Sequence, residues 1–495
     1  MRKLISAIFK TGLGSALNIA FGALAVKILA LLVGPSGIGL FSLLRQIQQT
    51  GSGIASVGGY TALVQGIASR SGEQRVRYVF TAAHFFAVGI LLVSIAMAVF
   101  APQLTWMIYG SRDPQLISVL RWLAIPCAIG GISAFFTAIL NGYGAIGDVA
   151  FVAVLSSAVA AAVAYPAGHL ARQGHTVAFV ALLSVSLAAS AAYGIWRSIH
   201  RGWLREHLAV RPEYCWDSAR HFSSFALTTF AASMMTTGTG LVLRAMVLRR
   251  GGLAGAGILD AAWTVSMTYV LLLLSSFSTY YLPALSGMQA RPEQHVLMRR
   301  LLRVSVIVMV PLISAMIILK PLLLTLLYTR EFAPSLLVLR WMLIGDYIKV
   351  ASWVLAMPML AYADMRSFFW SEVIAKVVLI GLAAISVFGF SSVEGVGVAF
   401  LVSYVGYFAF TLLYVRKRLS LRFNLKDGIF WFAGLGVIVI ASSLTWQARA
   451  IQPIPALAVA ILAVAFAFIT TAKEERKQLL MLLTNRGAGA AAGGR

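Results

Sequence analysis

Gly34-Pro35-Ser36-Gly37-Ile38-Gly39-Leu40-Phe41-Ser42-Leu43-Leu44-Arg45-Gln46 opens a stretch that runs on, mostly apolar, to Gly66. Its length between polar ends reads as a helix that crosses a membrane. Arg45 stands about three helical turns from the Gly34-Pro35 corner, which puts it at membrane depth. A charge near the bilayer centre costs roughly 2.5–3.5 kcal/mol on insertion scales, so such a residue faces a protein interior or a wet cavity. The rest of the chain is therefore read as a structure that shelters Arg45 and a few residues like it.

Composition agrees. The chain has 495 residues, 60% hydrophobic and 11% charged, with apolar runs from end to end. That excludes the soluble globular class and predicts an all-α polytopic membrane protein. The formal net charge of +24 would suggest a nucleic-acid partner in a soluble protein. Here loop placement accounts for most of it, and no nucleic acid is expected. Cys127 lies in a span and Cys215 in a loop, which gives neither a disulfide framework nor metal-ligand spacing. Met1-Arg2-Lys3 and Ala23-Leu24-Ala25 have the look of a leader and its cleavage site. Apolar sequence continues to Val33 and many spans follow, which favours a retained first span.

Fourteen spans are expected, at about 11–33, 38–66, 79–101, 117–142, 149–169, 176–196, 222–248, 255–284, 302–320, 336–361, 368–390, 395–415, 428–447 and 456–472. Basic residues crowd the loops of one side, as in Arg70, Arg75 and Arg77, Arg197 to Arg220, Arg291 to Arg303, and Arg416, Lys417, Arg418. The positive-inside rule makes that side, and both termini, cytoplasmic. No loop has room for a soluble catalytic domain.

An internal repeat divides the spans. Pro102, Tyr109, Leu120-Arg121-Trp122, Ile125 and Tyr143 recur at a constant offset as Pro321, Tyr328, Leu339-Arg340-Trp341, Ile344 and Tyr362. The offset is an even number of spans, so the halves share one membrane orientation. Trp122 and Trp341 are expected at the outer headgroups, with Arg121 and Arg340 snorkelling beside them and Lys320 likewise at the interface. The predicted layout is a six-helix lobe at 1–200, a basic linker at 201–221, and a second lobe at 222–418. Two extra helices at 419–474 and a tail at 475–495 follow. A central cavity is expected between the lobes.

Charges inside the spans carry the functional reading. The bases are Lys27, Arg45, Arg244, Lys349 and Lys376; the acids are Asp260, Asp346 and Glu372. Asp346 with Lys349 and Glu372 with Lys376 have helical i,i+3 and i,i+4 spacing. Each is either a self-neutralised pair that lets its helix insert, or a carboxylate that couples transport to protons or sodium. Lys27, Arg45, Arg244 and Asp260 have no partner at such spacing. If Asp260 takes one base, positive charge is left over, which implies an anionic ligand. Asp260 is also the first candidate for gating or coupling. Glycines at Gly51, Gly53, Gly58, Gly59, Gly238, Gly240, Gly255 and Gly257 serve close helix packing or bending. His84 is expected as a packed core histidine. No enzyme motif and no nucleotide-binding loop is present, so the chain is read as a non-enzyme with no cofactor.

These residues resemble the Wzx flippases of the polysaccharide-transporter family, within the superfamily that includes MATE exporters and the lipid II flippase. The nearest type handles the lipid III of enterobacterial common antigen. The likeness covers about residues 5–418. It is carried by Gly34-Pro35-x-Gly37-x-Gly39-Leu40 with Arg45-Gln46, by Phe277-Ser278-x-Tyr280-x-Leu282-Pro283-x-Leu285-Ser286, by Phe332 and Trp341 leading into Gly345-Asp346-x-x-Lys349-Val350, and by Arg366 followed by Glu372-Val373. The resemblance implies a bacterial inner-membrane protein that turns an undecaprenyl-diphosphate-linked oligosaccharide from the cytoplasmic to the periplasmic leaflet by alternating access. Polysaccharide polymerase or assembly proteins would be its partners, besides membrane lipid. Lys27, Arg45 and Arg244 would then hold diphosphate and glycan, with Asp260, Asp346, Lys349 and Glu372 in coupling or gating. The chain departs from the family by spans 13 and 14, which the lipid II flippase also has. A MATE-like exporter of small molecules and a lipid II flippase are the alternatives. A membrane-embedded glycan polymerase would need a long outer loop.

Overall fold

The computed structural model describes residues 2–203, 215–288, 291–362, 364–421, 423–445 and 452–470. Most of the expected linker 201–221, the end of the expected segment 419–474, and all of the expected tail 475–495 lie outside these residues.

The described chain is helical. In order come α1 (Arg2–Ala55), α2 (Gly59–Ser69), α3 (Gly72–Tyr109), α4 (Pro114–Trp122), α5 (Ala124–Gly142), α6 (Ile146–Arg172), α7 (Val177–His200), α8 (Trp216–Gly287), α9 (Arg291–Leu327), α10 (Ser335–Ala361), α11 (Met365–Ala384), α12 (Glu394–Arg418), α13 (Leu425–Leu444) and α14 (Pro453–Thr470). Among the described residues eleven stretches are long and apolar enough to cross a membrane. Two of these, Gly14–Ala55 and Trp216–Val270, are long enough for two spans each, since about 20 residues suffice for one. With the shorter apolar helix Pro453–Phe466, each of the fourteen expected spans has a helical counterpart.

Both long helices break where the sequence demands it. Gly34 has φ 60° and ψ −166°, a region that only glycine enters without strain. Pro35 follows it and disfavours helical backbone in the residue before. Gly252 has φ 65° and ψ −171° inside α8. The expected corner at Gly34-Pro35 thus has a twin after Arg249-Arg250.

The chain forms two compact units. The first is Met1–Ala261 with Thr325–Ser335 and Ile380–Val393; the second is Ala262–Leu324 with Leu336–Leu379 and Glu394–Arg495. These units follow packing and cut α8 at Ala261, whereas the expected lobes follow the repeat.

In the first unit α1 lies along α6, α6 packs on α7, and α5 packs on α1, α2, α3 and α7. Leu63, Ile67, Tyr78, Val79, Phe86, Ile139 and Phe222 form a buried core in it. The Tyr78 hydroxyl donates to the Ala62 carbonyl at 3.1 Å, which satisfies the one polar atom of that ring. Lys27 donates from Nζ to the Thr325 carbonyl at 2.6 Å and to the Tyr328 carbonyl. Those carbonyls lie in the last turn of α9 and just beyond it, where helix acceptors have no partner and the dipole favours a cation.

In the second unit α10 is the most enclosed span, with 83% of its apolar window buried. That enclosure is what lets it carry Arg340 and Asp346. Tyr281, Met298, Leu301, Val354, Leu355 and Val415 form a core beside it. Three expectations are corrected here. Lys320 does not snorkel: it is buried, and its Nζ donates to the Thr445 carbonyl at 3.1 Å, at the end of α13. Arg340 does not snorkel either, because Glu394 Oε1 lies 2.7 Å from its guanidinium and also accepts from Trp341 Nε1 at 3.0 Å. Trp122, the repeat counterpart of Trp341, is exposed, as a headgroup anchor would be. In the first unit, His84 is exposed rather than packed in the core, with Nδ1 2.9 Å from the Phe80 carbonyl.

Candidate functional site

The site begins with two glycines, one past each kink. A Cβ on Gly39 would collide with the Leu253 carbonyl, and a Cβ on Gly257 would collide with the Pro35 carbonyl. Each glycine thus meets the residue that follows the other helix's kink glycine. The second limbs of α1 and α8 therefore cross backbone to backbone, an approach that only a residue without Cβ allows. Just beyond the crossing, Gln46 Nε2 donates to the Thr237 carbonyl at 2.9 Å and fastens α1 to the first limb of α8.

This crossing brings three charges together. Arg244, on the first limb of α8, donates to Asp260 Oδ1, on the second limb, from Nη2 at 2.6 Å and from Nε at 3.3 Å. Its Nη1 donates back to the Gly240 carbonyl at 3.2 Å. Arg45 approaches the same oxygen with Nη2 at 3.6 Å. The side chains of Arg244 and Asp260 are 6% and 4% exposed, whereas that of Arg45 is 31% exposed. One carboxylate thus faces two guanidiniums, and the surplus positive charge sits on the more open one. The Arg45 guanidinium also lies 5.7 Å from the Phe41 ring centroid, a range in which the ring face attracts a cation.

The other expected residues fall elsewhere. Lys27 is not gathered with Arg45 and Arg244; its ammonium is taken up by the helix end described above. Asp346 and Lys349 do not form the expected pair. Asp346 is fully buried, and its Oδ2 accepts from Ser266 Oγ and Tyr269 Oη, both at 2.7 Å. Its Oδ1 is buried and has no hydrogen-bond partner among the described residues. Lys349 turns instead to Met267 Sδ at 3.1 Å and to the rings of Phe400 and Tyr404, 5.7 and 5.5 Å from their centroids. Hydroxyls of α8 take up the acid, while Met267 of α8 and aromatic faces of α12 take up the base. Glu372 and Lys376 do pair, at 3.9 Å, with Lys376 also near the Tyr404 ring. Sequence reasoning missed Ser266 and Tyr269. Their i,i+3 spacing facing a span with an acid was the available signal. Among the described residues no three His, Cys, Asp or Glu side chains gather to hold a metal ion.

The family model described as "Polysaccharide biosynthesis protein" matches residues 28–337, which is more than half of the chain and includes the kink, the crossing and all three charges. The chain belongs to the polysaccharide biosynthesis protein family. Within this polysaccharide biosynthesis family it is 22% identical over 408 residues to the Lipid III flippase of Escherichia coli (strain K12), covering 81% of this chain and 95% of that protein. The Lipid III flippase of Shigella flexneri matches to the same extent. Among solved structures, "Lipid II flippase MurJ, inward closed conformation" superposes with a TM-score of 0.72 at 13% identity, covering 96% of this chain and 100% of that one. An inward-facing multidrug resistance MATE family transporter of the MOP superfamily gives 0.68 at 13% identity, covering 82% and 98%. At such identities these structures establish a shared fold. This family member is a polytopic helical membrane protein with that fold.

Proposed function

We propose that the chain is a flippase that carries an undecaprenyl-diphosphate-linked oligosaccharide from the cytoplasmic to the periplasmic leaflet by alternating access. The family and the relatives named Lipid III flippase support a lipid-linked saccharide as cargo. The observation that carries the chemistry is the surplus positive charge on Arg45, half-open beside a carboxylate that Arg244 already occupies. A diphosphate would complete that charge balance through charge-assisted hydrogen bonds, which a guanidinium can offer in pairs. Arg45 is the ligand in this reading. Arg244 and Asp260 hold its position, and Lys27 supports the end of α9.

Asp346 is the better coupling residue than Asp260. Two arginines restrain Asp260, whereas Asp346 has one buried oxygen, Oδ1, with no hydrogen-bond partner among the described residues, where a proton could be held. The lobes at 1–200 and 222–418 would be the bodies that alternate. The inner membrane, cytoplasmic termini and a polymerase downstream complete the reading.

A deletion strain tests it. Lipid-linked repeat units should accumulate on the cytoplasmic face, and a plasmid copy carrying Arg45→Ala should fail to clear them. Accumulation on the periplasmic face would assign a polymerase instead. Drug hypersensitivity with normal glycan export would assign a MATE-like exporter.

A further inference from the structure

The second unit contains a cavity of about 820 Å³ between α9, α10, α12 and α13. That lies within the ~300–1,000 Å³ range of small-molecule sites. Its walls are apolar, with the Phe408 and Trp431 rings stacked at 4.8 Å and 5°. Its lining also includes Arg299, Arg303 and Arg416. Arg299 and Arg303 are one helical turn apart on α9, so they share a face. Arg416 is in the last turn of α12. Asp427 is the single acid of the lining, and it is doubly engaged. Its Oδ2 lies 3.9 Å from Arg299 Nε and accepts the Asn424 backbone N–H at 3.1 Å. The lining therefore carries excess positive charge, to which the N-terminus of α13 adds its dipole.

We propose that this cavity is a site for an anionic phospholipid of the leaflet facing the arginine-rich loops. Basic pockets between membrane helices on that side select anionic headgroups. A free phosphate would leave the aromatic walls unused, and a neutral headgroup would not answer the net positive charge of Arg299, Arg303 and Arg416 over Asp427. The walls are also pinned. Tyr347 donates to the Trp431 carbonyl at 2.8 Å, tying α13 to α10, and His295 Nε2 is 2.8 Å from the Leu419 carbonyl, tying α9 to the end of α12. Fixed walls suit a resident lipid rather than a cargo that must leave each cycle. This site is separate from Arg45 and does not depend on the transport reading.

The test uses the purified, delipidated full-length chain and native mass spectrometry, with thermal unfolding in parallel. Phosphatidylglycerol, phosphatidylcholine, inorganic phosphate and undecaprenyl phosphate are added separately, and then in competition. The expected result is one tightly held phosphatidylglycerol per chain and a raised Tm, with phosphatidylcholine held about tenfold more weakly. Inorganic phosphate should give no shift. Arg303→Gln with Arg416→Gln should reduce phosphatidylglycerol retention by about tenfold or more. Gly428→Trp is the second variant. Gly428 lines the cavity on α13, and a Cβ there meets nothing within 4 Å, so a bulky residue should fold and fill the space. It should displace the lipid with the arginines intact. Equal retention of both phospholipids, retention unaffected by either variant, a shift with phosphate alone, or displacement by undecaprenyl phosphate would overturn the proposal.

Discussion

At the scale of single residues, four basic side chains inside the membrane do three different jobs. Lys27 and Lys320 each sit on carbonyls at a helix end, Arg244 neutralises Asp260, and Arg45 is left over. Variants should separate these jobs. Lys27→Met strips the ammonium from two helix-end carbonyls, one exposed and one part-buried, and should destabilise the fold by about 0.5–1.5 kcal/mol, the net worth of a hydrogen bond. It should not weaken binding of a lipid diphosphate, as titration with that ligand would measure. Arg45→Ala should do the reverse, with little change in Tm and a loss of affinity. Asp260→Asn leaves two guanidiniums without a counter-charge and should cost about 3–5 kcal/mol. The double variant Asp260→Leu with Arg244→Met should recover much of that loss, and a double-mutant cycle in thermal unfolding would read the coupling. Sequence reasoning put Arg45, Arg244 and Asp260 inside apolar helices and anticipated that Asp260 could not balance every base, and the structure has two guanidiniums on that one carboxylate. It could not place Lys27 on a carbonyl nearly three hundred positions away, since spacing gives depth and helix face but not the neighbour.

At the scale of elements, the kinked helices matter most. The Gly34-Pro35 corner was legible because proline and glycine act on local backbone. The crossing of Gly39 on Leu253 and Gly257 on Pro35 was not, because it requires two segments to be docked. Ala at either position would push a methyl into a backbone carbonyl, which cannot move aside. Gly39→Ala and Gly257→Ala should each cost about 1–3 kcal/mol by overpacking. Gly381→Ala, where a Cβ meets nothing within 4 Å, should be neutral or slightly stabilising by helix propensity. Tm values for the three variants decide this. The start of α11 gives a pH-dependent case. Asp364 Oδ1 accepts the Ser367 backbone N–H at 3.1 Å and Oδ2 accepts from Tyr414 at 2.9 Å. The Ser367 backbone bond, with help from the Ser367 and Tyr414 hydroxyls, holds its carboxyl below the usual aspartate range. A depressed folded value means stability that is present above the unfolded pKa of about 3.9 and lost as pH falls through the folded one. Asp364→Ala should cost about 0.5–2 kcal/mol at neutral pH and much less in strong acid. Thermal unfolding at several pH values would show that convergence.

At the scale of the whole molecule, the membrane class and the run of apolar helices were legible because apolar runs and glycine-proline breaks are local signals. Two features were not. The repeat led to matched roles for Arg121 and Arg340, yet Glu394 draws Arg340 inside the protein. The compact units also cut α8 at Ala261, because the Gly39–Gly257 crossing binds the second limb's start, and Asp260 with it, to the first unit. Both outcomes depend on contacts between segments far apart in the chain.

The most direct test of the central claim is the rate at which the purified protein turns a fluorescent undecaprenyl-diphosphate oligosaccharide across proteoliposomes, wild type against Arg45→Ala and Arg45→Lys. Loss of one charge-assisted contact to the diphosphate should slow the alanine variant by about ten- to a hundredfold and the lysine variant by less. Transport by Arg45→Ala at the wild-type rate would contradict the account.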